Sequence, residues 1–427
     1  MLMRRRRFLA AAASLGAAAM LPDRVRAARR ADSRVVIVGG GWGGLSAARH
    51  LREADPGLDI TLIERNPAFW SCPLSNKWLV GRIDETRLRR DYAAAAQRWG
   101  YRFVQGEVSA IDRDRRRVVS SAGSFDYDWL VLAVGIRHDY RAWFGDDREA
   151  AEYARATYPA AWTPGTEFAV LRDKLARFRG GELLLTIPPA PFRCPPAPYE
   201  RAALLAGWLE SRGIPGRIVI LDANPPFQEF QRLFREFDER IIYRSQTPVV
   251  SVDPRTRIVR TEFEDFGFDE AILMPPQQAG DLAWQAGLIG RDAEGHPTGW
   301  ADIDPLTLAA RNDDRIFMIG DMIDRVSPLF GHYPKSAHMA ASQGRLVARR
   351  IVALARGKDV PQGLPDSLCH IATRYEPPEA IRLAAAYRLR GDGVLMQQTK
   401  VERDPQPRDE DVAWLELLLD EILVTRS

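Results

Sequence analysis

The chain has 427 residues, 46% of them hydrophobic and 27% charged, with 60 basic against 57 acidic side chains. That length is too great for one ordinary core and implies two or three domains. A formal charge of only +3 argues against the basic surface of a nucleic-acid binder.

The N-terminus opens with Arg4-Arg5-Arg6-Arg7-Phe8-Leu9 and an alanine-rich apolar stretch. Arg5-Arg6 followed by Phe8-Leu9 fits a twin-arginine export signal, and small residues near Ala27 suit cleavage. A membrane anchor is the alternative, but the stretch from Phe8 to Leu21 is about 14 residues, short of the ~20 that span a bilayer. Removing residues 1–27 leaves 54 basic against 56 acidic side chains, a balance of −2, so the basic character belongs to the leader. No later stretch is apolar enough to cross a membrane. The expected location is the periplasm, where disulfides persist. The three cysteines, Cys72, Cys194 and Cys369, form neither a CxxC pair nor a CxxCH haem site. An odd count in an exported protein points to one disulfide and one cysteine with another task. No metal site is expected.

Arg34–Val38 is an apolar run that predicts a buried parallel strand. Gly39-Gly-Gly41-Trp-Gly-Gly44 follows, then helical spacing through Leu51. This is GxGxxG in its strand–turn–helix context. Gly39 permits the tight turn, Gly41 lets a pyrophosphate approach, and Gly44 lets the helix pack on the strand. The next predicted strand, Asp59–Glu64, ends in an acid about 20 residues beyond the loop, placed for a ribose hydroxyl pair. The motif alone does not separate NAD from FAD. Two later segments favour FAD: a predicted strand from Phe125 to Gly135, similar to the second signature of two-dinucleotide-fold flavoproteins, and Arg315–Asp321, ending in Gly-Asp. In such flavoproteins Asp321 would bind the ribityl chain.

Gly181–Ile187, a helix from Pro198 to Arg212 and Arg217–Asp222 predict a second strand–helix–strand unit. Six prolines and Cys194 lie between Pro188 and Pro198, where a nicotinamide-binding loop would carry glycine. Proline offers no N–H to a pyrophosphate, so an NAD-like fold without NAD binding is expected. Cys194, just before a helix N-terminus, sits where the dipole favours a thiolate. Glu200 reads either as a proton donor or acceptor for that thiol or as an ordinary first-turn acid.

Pro361–Pro365 reads as a linker. Three predicted strands follow, from Ser367 (with Cys369), Ala380 and Gly393, and then a helix from Asp411 to Val424 with Trp414, Leu415, Leu418 and Ile422 as its buried face. The fold class is therefore α/β: two Rossmann-like dinucleotide-binding-type domains plus a small α+β C-terminal domain. The expected division is a signal at 1–27, a discontinuous FAD domain at 33–143 and 277–357, an NAD-like domain at 144–276, and a C-terminal interface domain at 358–427.

Phe192-Arg-Cys194-Pro-Pro-Ala-Pro-Tyr-Glu200-Arg201 is similar to the Arg-Cys-Pro-Pro-Gly-Pro-Tyr-Glu-Arg segment of the flavoprotein subunit of flavocytochrome c sulfide dehydrogenase. Trp70-Ser-Cys72-Pro-Leu-Ser-Asn76 resembles that family's covalent-flavin segment. Ser367-Leu-Cys369-His370 with Ala384-Ala-Ala-Tyr387 resembles the region of its second redox cysteine, and Pro334-Lys335-Ser336 with Ala341-Ser-Gln-Gly344 its helix after Gly-Asp. The resemblance implies oxidation of sulfide or a related sulfur compound by a Cys194–Cys369 redox disulfide, with Glu200 managing protons. It also implies FAD tethered through Cys72, a helix from about Lys335 aimed at the flavin, and electrons passed to a c-type cytochrome partner. Bland alternatives are a structural disulfide and an unmodified buried Cys72. Functional alternatives are a sulfide:quinone oxidoreductase and a non-catalytic flavin-binding partner protein. Two features depart from the family: Met322 after Gly-Asp, and a long loop from Val326 to Tyr333, expected near the flavin or the partner.

Overall fold

The computed structural model describes residues 33–162 and 165–423; the export signal expected over 1–27 lies outside them. Val35, Val36, Ile37 and Val38 are all buried, as a strand covered on both faces requires. Arg34–Val38 pairs in parallel with Asp59–Glu64 and Trp129–Leu132. The six-stranded sheet runs Ala309–Ala310, Asp313–Met318, Trp129–Leu132, Arg34–Val38, Asp59–Glu64, Arg102–Gln105. A two-stranded ribbon, Ile136–His138 against Gln277–Ala279, carries the chain out of this domain and back.

The strand expected over 125–135 is broken. Phe125 and Asp126 belong to Gly123–Asp126 in a separate antiparallel sheet, and only Trp129–Leu132 joins the parallel one. The break falls at Tyr127-Asp128, where the Asp128 carboxylate accepts from the Arg34 amide at 2.8 Å and turns the chain onto the parallel sheet.

The helices Trp42–Ala54 and Ala337–Ala355 meet backbone to backbone. A Cβ on Gly344 would stand 2.5 Å from the Gly43 carbonyl oxygen, and Ser46 Oγ donates to the Ala341 carbonyl at 2.7 Å. Helices that follow parallel strands begin at the carboxyl edge of a sheet, where ligands of open α/β sheets bind.

The second parallel sheet runs Ile241–Arg244, Gly216–Asp222, Gly181–Ile187, Glu270–Ile272, with the helix Ala197–Ser211 crossing between its two central strands. Ser367–Arg374, Glu379–Leu389 and Leu395–Asp404 form an antiparallel sheet, and Glu410–Ile422 is the last helix. That helix buries Leu415, Leu418, Leu419 and Ile422. Lys77 reaches its Asp411 at 2.5 Å, Arg90 its Glu416 at 3.0 Å and His50 its Glu421 at 3.2 Å, so it is fastened to the first domain. Trp414 is not core as expected; it is half-buried and turned to the cavity described next.

Candidate active site

One cavity of about 970 Å³ opens at the carboxyl edge of the first sheet. That volume lies at the upper end for small-molecule sites. Its wall includes Gly39, Gly41, Glu64, Cys72, Gly135, Cys194, Glu200, Asp321, Lys335 and Cys369. Only Gly44, of the expected site residues, lies off the wall.

The three loop glycines differ in the ways their spacing predicts. Gly39 has φ +101°, and a Cβ there would stand 2.4 Å from the Ala133 carbonyl oxygen. A Cβ on Gly44 would lie 1.9 Å from the Gly39 oxygen, whereas one on Gly41 would meet nothing within 4 Å. The closed positions hold the turn, and the open one leaves room for a ligand against backbone. No side chain caps the helix Trp42–Ala54, so its first-turn N–H groups remain available to an anion. Glu64 is buried and accepts from the Gly40 amide at 2.7 Å and from the Asn66 amide and side chain at 2.8 and 2.6 Å. An uncapped helix start, an open glycine and a fixed acid fit a dinucleotide with its pyrophosphate on Gly39–Gly43 and its ribose at Glu64.

The opposite wall is built by the second domain and the C-terminal sheet. Cys194 sits on the proline-rich loop with φ +49°, a strained value for a residue with a side chain. Its amide donates to the Lys335 carbonyl at 2.7 Å, which fixes the loop against the residues ahead of Ala337–Ala355. Cys369 lies on the strand Ser367–Arg374, as expected. All three cysteines are half-buried free thiols in this structure.

The dipole argument for a Cys194 thiolate does not hold. Burial, followed by the nearby Cys369 and Glu200, pushes the thiol well above its ordinary range. The helix begins at Ala197, after Pro196, so Cys194 lies outside its first turn, where the dipole acts. Burial pushes Cys369 up to about 11, with hydrogen bonds from Ser336 and Ser367 working the other way. Burial also raises Cys72, while Arg193 opposes it.

Glu200 lies in the first turn of its helix, but it is more than a complement to the dipole. One oxygen accepts from Asn76 Nδ2 at 2.6 Å and the other from the Ala372 amide at 2.8 Å, on the Cys369 strand. Burial lifts its carboxyl to about 7, against those two hydrogen bonds. A carboxyl poised near neutrality beside two thiols can take up or release a proton.

Asp321 lines the cavity with its carboxylate 2.7 Å from Arg193 Nε. Arg193 also donates to the Trp162 carbonyl at 2.9 Å. Sequence reasoning gave Arg193 no role, since an arginine beside a cysteine carries no distinguishing spacing. Lys335, expected at the cofactor, lines the cavity with its ammonium turned to backbone. Its ammonium donates to the Asp321 and Ile323 carbonyls at 2.7 and 2.9 Å and lies over the Trp300 ring. Burial lowers it to about 7, with Asp321 and Asp324 opposing. It therefore braces the Gly-Asp turn. The helix expected from about Lys335 starts at Ala337, with Ser336 as its cap. The loop from Val326 to Tyr333 does not line the cavity; Ser327 Oγ donates to the Leu395 carbonyl and Phe330 packs on Tyr387.

The second domain's counterpart of Glu64 is Asp222, and it is fully buried. Its carboxylate accepts from Tyr199 and Tyr243 hydroxyls at 2.6 and 2.7 Å and from the Asn224 amide and side chain at 2.9 and 2.8 Å. Phe227, Phe230 and Phe234 pack around Tyr199.

Two family models match separate parts of the chain. Residues 33–154 match the family model described as pyridine nucleotide-disulphide oxidoreductase. Residues 168–275 match one described as the central part of the sulfide dehydrogenase [flavocytochrome c] flavoprotein chain. The chain is 21% identical over 347 residues to the mitochondrial sulfide:quinone oxidoreductase of Mus musculus, covering 76% of this chain and 72% of that one. It is 56% identical over 43 residues to the sulfide dehydrogenase [flavocytochrome c] flavoprotein chain of Chlorobaculum thiosulfatiphilum, 10% of this chain and 90% of that sequence. Among solved structures, the sulfide:quinone oxidoreductase of Aquifex aeolicus superposes with a TM-score of 0.71 at 20% identity, covering 91% of each chain. This likeness places the fold among two-dinucleotide-domain flavoproteins.

Proposed function

We propose that this chain, which belongs to the FAD-dependent pyridine nucleotide-disulphide oxidoreductase superfamily, oxidises sulfide or a closely related small sulfur compound through Cys194 and Cys369. The observation that carries this reading is the single cavity shared by both cysteines, Glu200 and the dinucleotide loop. Gly39–Gly43 and Glu64 would hold FAD, which would supply a two-electron acceptor there.

In the proposed cycle Cys194 and Cys369 begin as a disulfide. Hydrosulfide attacks the Cys194 sulfur, the S–S bond breaks, and a Cys194 persulfide and a Cys369 thiolate result. Cys369 leaves as the thiolate, with Ser336 and Ser367 placed to hydrogen-bond to it. Glu200 takes up the proton released from the persulfide. A second hydrosulfide removes the outer sulfur as a disulfane anion, and the reduced pair closes again by giving up two electrons. Cys72, on the same wall, is proposed to tether the flavin. Acid precipitation should then leave the yellow colour with the protein, and Cys72→Ser should release it to the supernatant. Free FAD recovered in full from the unmutated protein would reject the tether.

For the onward acceptor, two relatives that align along most of the chain carry the name sulfide:quinone oxidoreductase, and another, of Staphylococcus haemolyticus, is named a type II NADH:quinone oxidoreductase. A quinone is therefore the leading reading, which reverses the order expected from sequence. A c-type cytochrome is the second reading, favoured by the family model over residues 168–275 and the Chlorobaculum fragment. No helix among the described residues is long and apolar enough to cross a membrane. Twin-arginine export to the periplasm is part of the proposal, and fractionation of the native cell tests it. The deciding experiment for the acceptor is sulfide turnover by one preparation with a soluble quinone analogue and with cytochrome c. Faster quinone reduction after removal of all haem protein supports the first reading, and turnover with cytochrome alone supports the second.

A further inference from the structure

One arm of the cavity is unused by the chemistry above. The ribbon between the domains brings His138 and Tyr140 onto the wall with their rings 6.2 Å apart. Neither ring nitrogen of His138 nor the Tyr140 hydroxyl has a hydrogen-bond partner among the described residues. Buried polar groups are nearly always paired, so three orphan atoms together on one cavity wall mark a place for a polar ligand. Burial, then Arg193 and Arg155, lowers His138 to about 3, so the ring is neutral and offers one N–H.

Arginines stand on both sides of this pair, and both act on His138. Arg193 is the inner one, next to Cys194 in the chain and paired with Asp321. Arg155 is the outer one, exposed on the helix Arg148–Thr157 and also lining the cavity. It has no ion-pair or hydrogen-bond partner among the described residues. Arg141, at the same mouth, is already paired with Asp146 at 2.7 Å. The opposing acid is Glu167, which is buried and raises Tyr140 after burial itself.

We infer that the corner formed by His138, Tyr140 and Arg155 is the entry for an anionic sulfur substrate of the hydrosulfide class. Arg155 draws the anion to the mouth, and the Tyr140 O–H and His138 N–H donate to it on the way to Cys194. This assignment of the ligand rests on the sulfide reading above; the attraction of an anion toward Cys194 can be read without sulfide.

The test uses the full flavin-containing protein after reduction of its disulfides. The rate at which Cys194 is alkylated by anionic iodoacetate, relative to neutral iodoacetamide, is followed by peptide mapping in wild type, Arg155→Glu and Arg115→Glu. Arg115, 80% exposed, makes the same charge change away from the cavity. Arg155→Glu should lower the ratio about fivefold at low salt, with the difference shrinking as salt is added, while Arg115→Glu matches wild type. The second-order rate of flavin bleaching by sulfide should fall in parallel. An unchanged ratio in Arg155→Glu overturns the entry, and so does loss of flavin from that variant with the ratio intact, which would give the corner to the cofactor. Failure of sulfide to bleach the wild type would sink the functional reading and leave the alkylation ratio to decide the entry.

Discussion

The two dinucleotide-type units share a strand–helix–strand frame and part at each position where a nucleotide would touch the chain. In the first, Gly41 opens onto the cavity and Glu64 stands at its wall. In the second, prolines and Cys194 replace the glycines, and Asp222 is sealed under Tyr199 and Tyr243. The same carboxyl-edge geometry thus serves two ends. One unit keeps a cradle for a cofactor; the other becomes a rigid mount that holds a strained cysteine over it. A proline-rich loop and an acid buried away from the cavity give a second nucleotide little to bind.

The largest effect should come from closing the first cradle. Gly44→Ala places a Cβ 1.9 Å from the Gly39 oxygen, a backbone clash that only a shift of the loop can relieve. The purified variant should lack the flavin band near 450 nm; normal flavin content would show that the loop does not hold the cofactor.

Exchanging the two acids sharpens the contrast. Glu64→Ala should weaken flavin retention and leave sulfide chemistry intact in whatever fraction keeps its cofactor. Asp222→Ala should keep the flavin but lower stability by about 2–3 kcal/mol, because a buried and a half-buried tyrosine hydroxyl and Asn224 lose their acceptor. Flavin release and urea unfolding on both variants separate the outcomes. Retained stability with lost flavin in Asp222→Ala would break the comparison, as would bleaching of the wild-type flavin by NADH.

How much of this was legible in the sequence depends on range. The glycine loop, the six-residue strand ending at Glu64 and the proline block around Cys194 are local signals, and the structure places them as read. The break at Tyr127-Asp128 was hidden because Asp128 stops the strand through the amide of Arg34, 94 positions earlier. The raised Cys194 thiol was misread for a similar reason: its local helix argues one way, while burial and Cys369, from a distant strand, argue the other. Arg193, Asn76 and the His138–Tyr140 corner gain meaning only from partners and cavity walls brought by other domains. Lys335 sat in the right segment, yet its ammonium turns to the Asp321 and Ile323 carbonyls, which no spacing discloses.

A smaller effect is expected from Glu200. Its carboxyl is raised to about 7 in the fold, so its contribution to stability is present below the ordinary carboxylate range and is lost as pH rises through 7. Thermal midpoints of the wild type should therefore decline between about pH 4.5 and 7 more steeply than those of Glu200→Gln. Identical slopes would mean that Glu200 is not held protonated by burial.

The central claim is that Cys194 and Cys369 act on sulfide as a pair, and anaerobic mixing of sulfide with the flavoprotein tests it most directly. Wild type should bleach at 450 nm, and alkylation with peptide mapping should find both cysteines blocked before reduction and free after it. Cys194→Ser and Cys369→Ser should each keep their flavin and stay yellow over the time in which wild type is fully reduced. Bleaching at the wild-type rate in either variant would contradict the account.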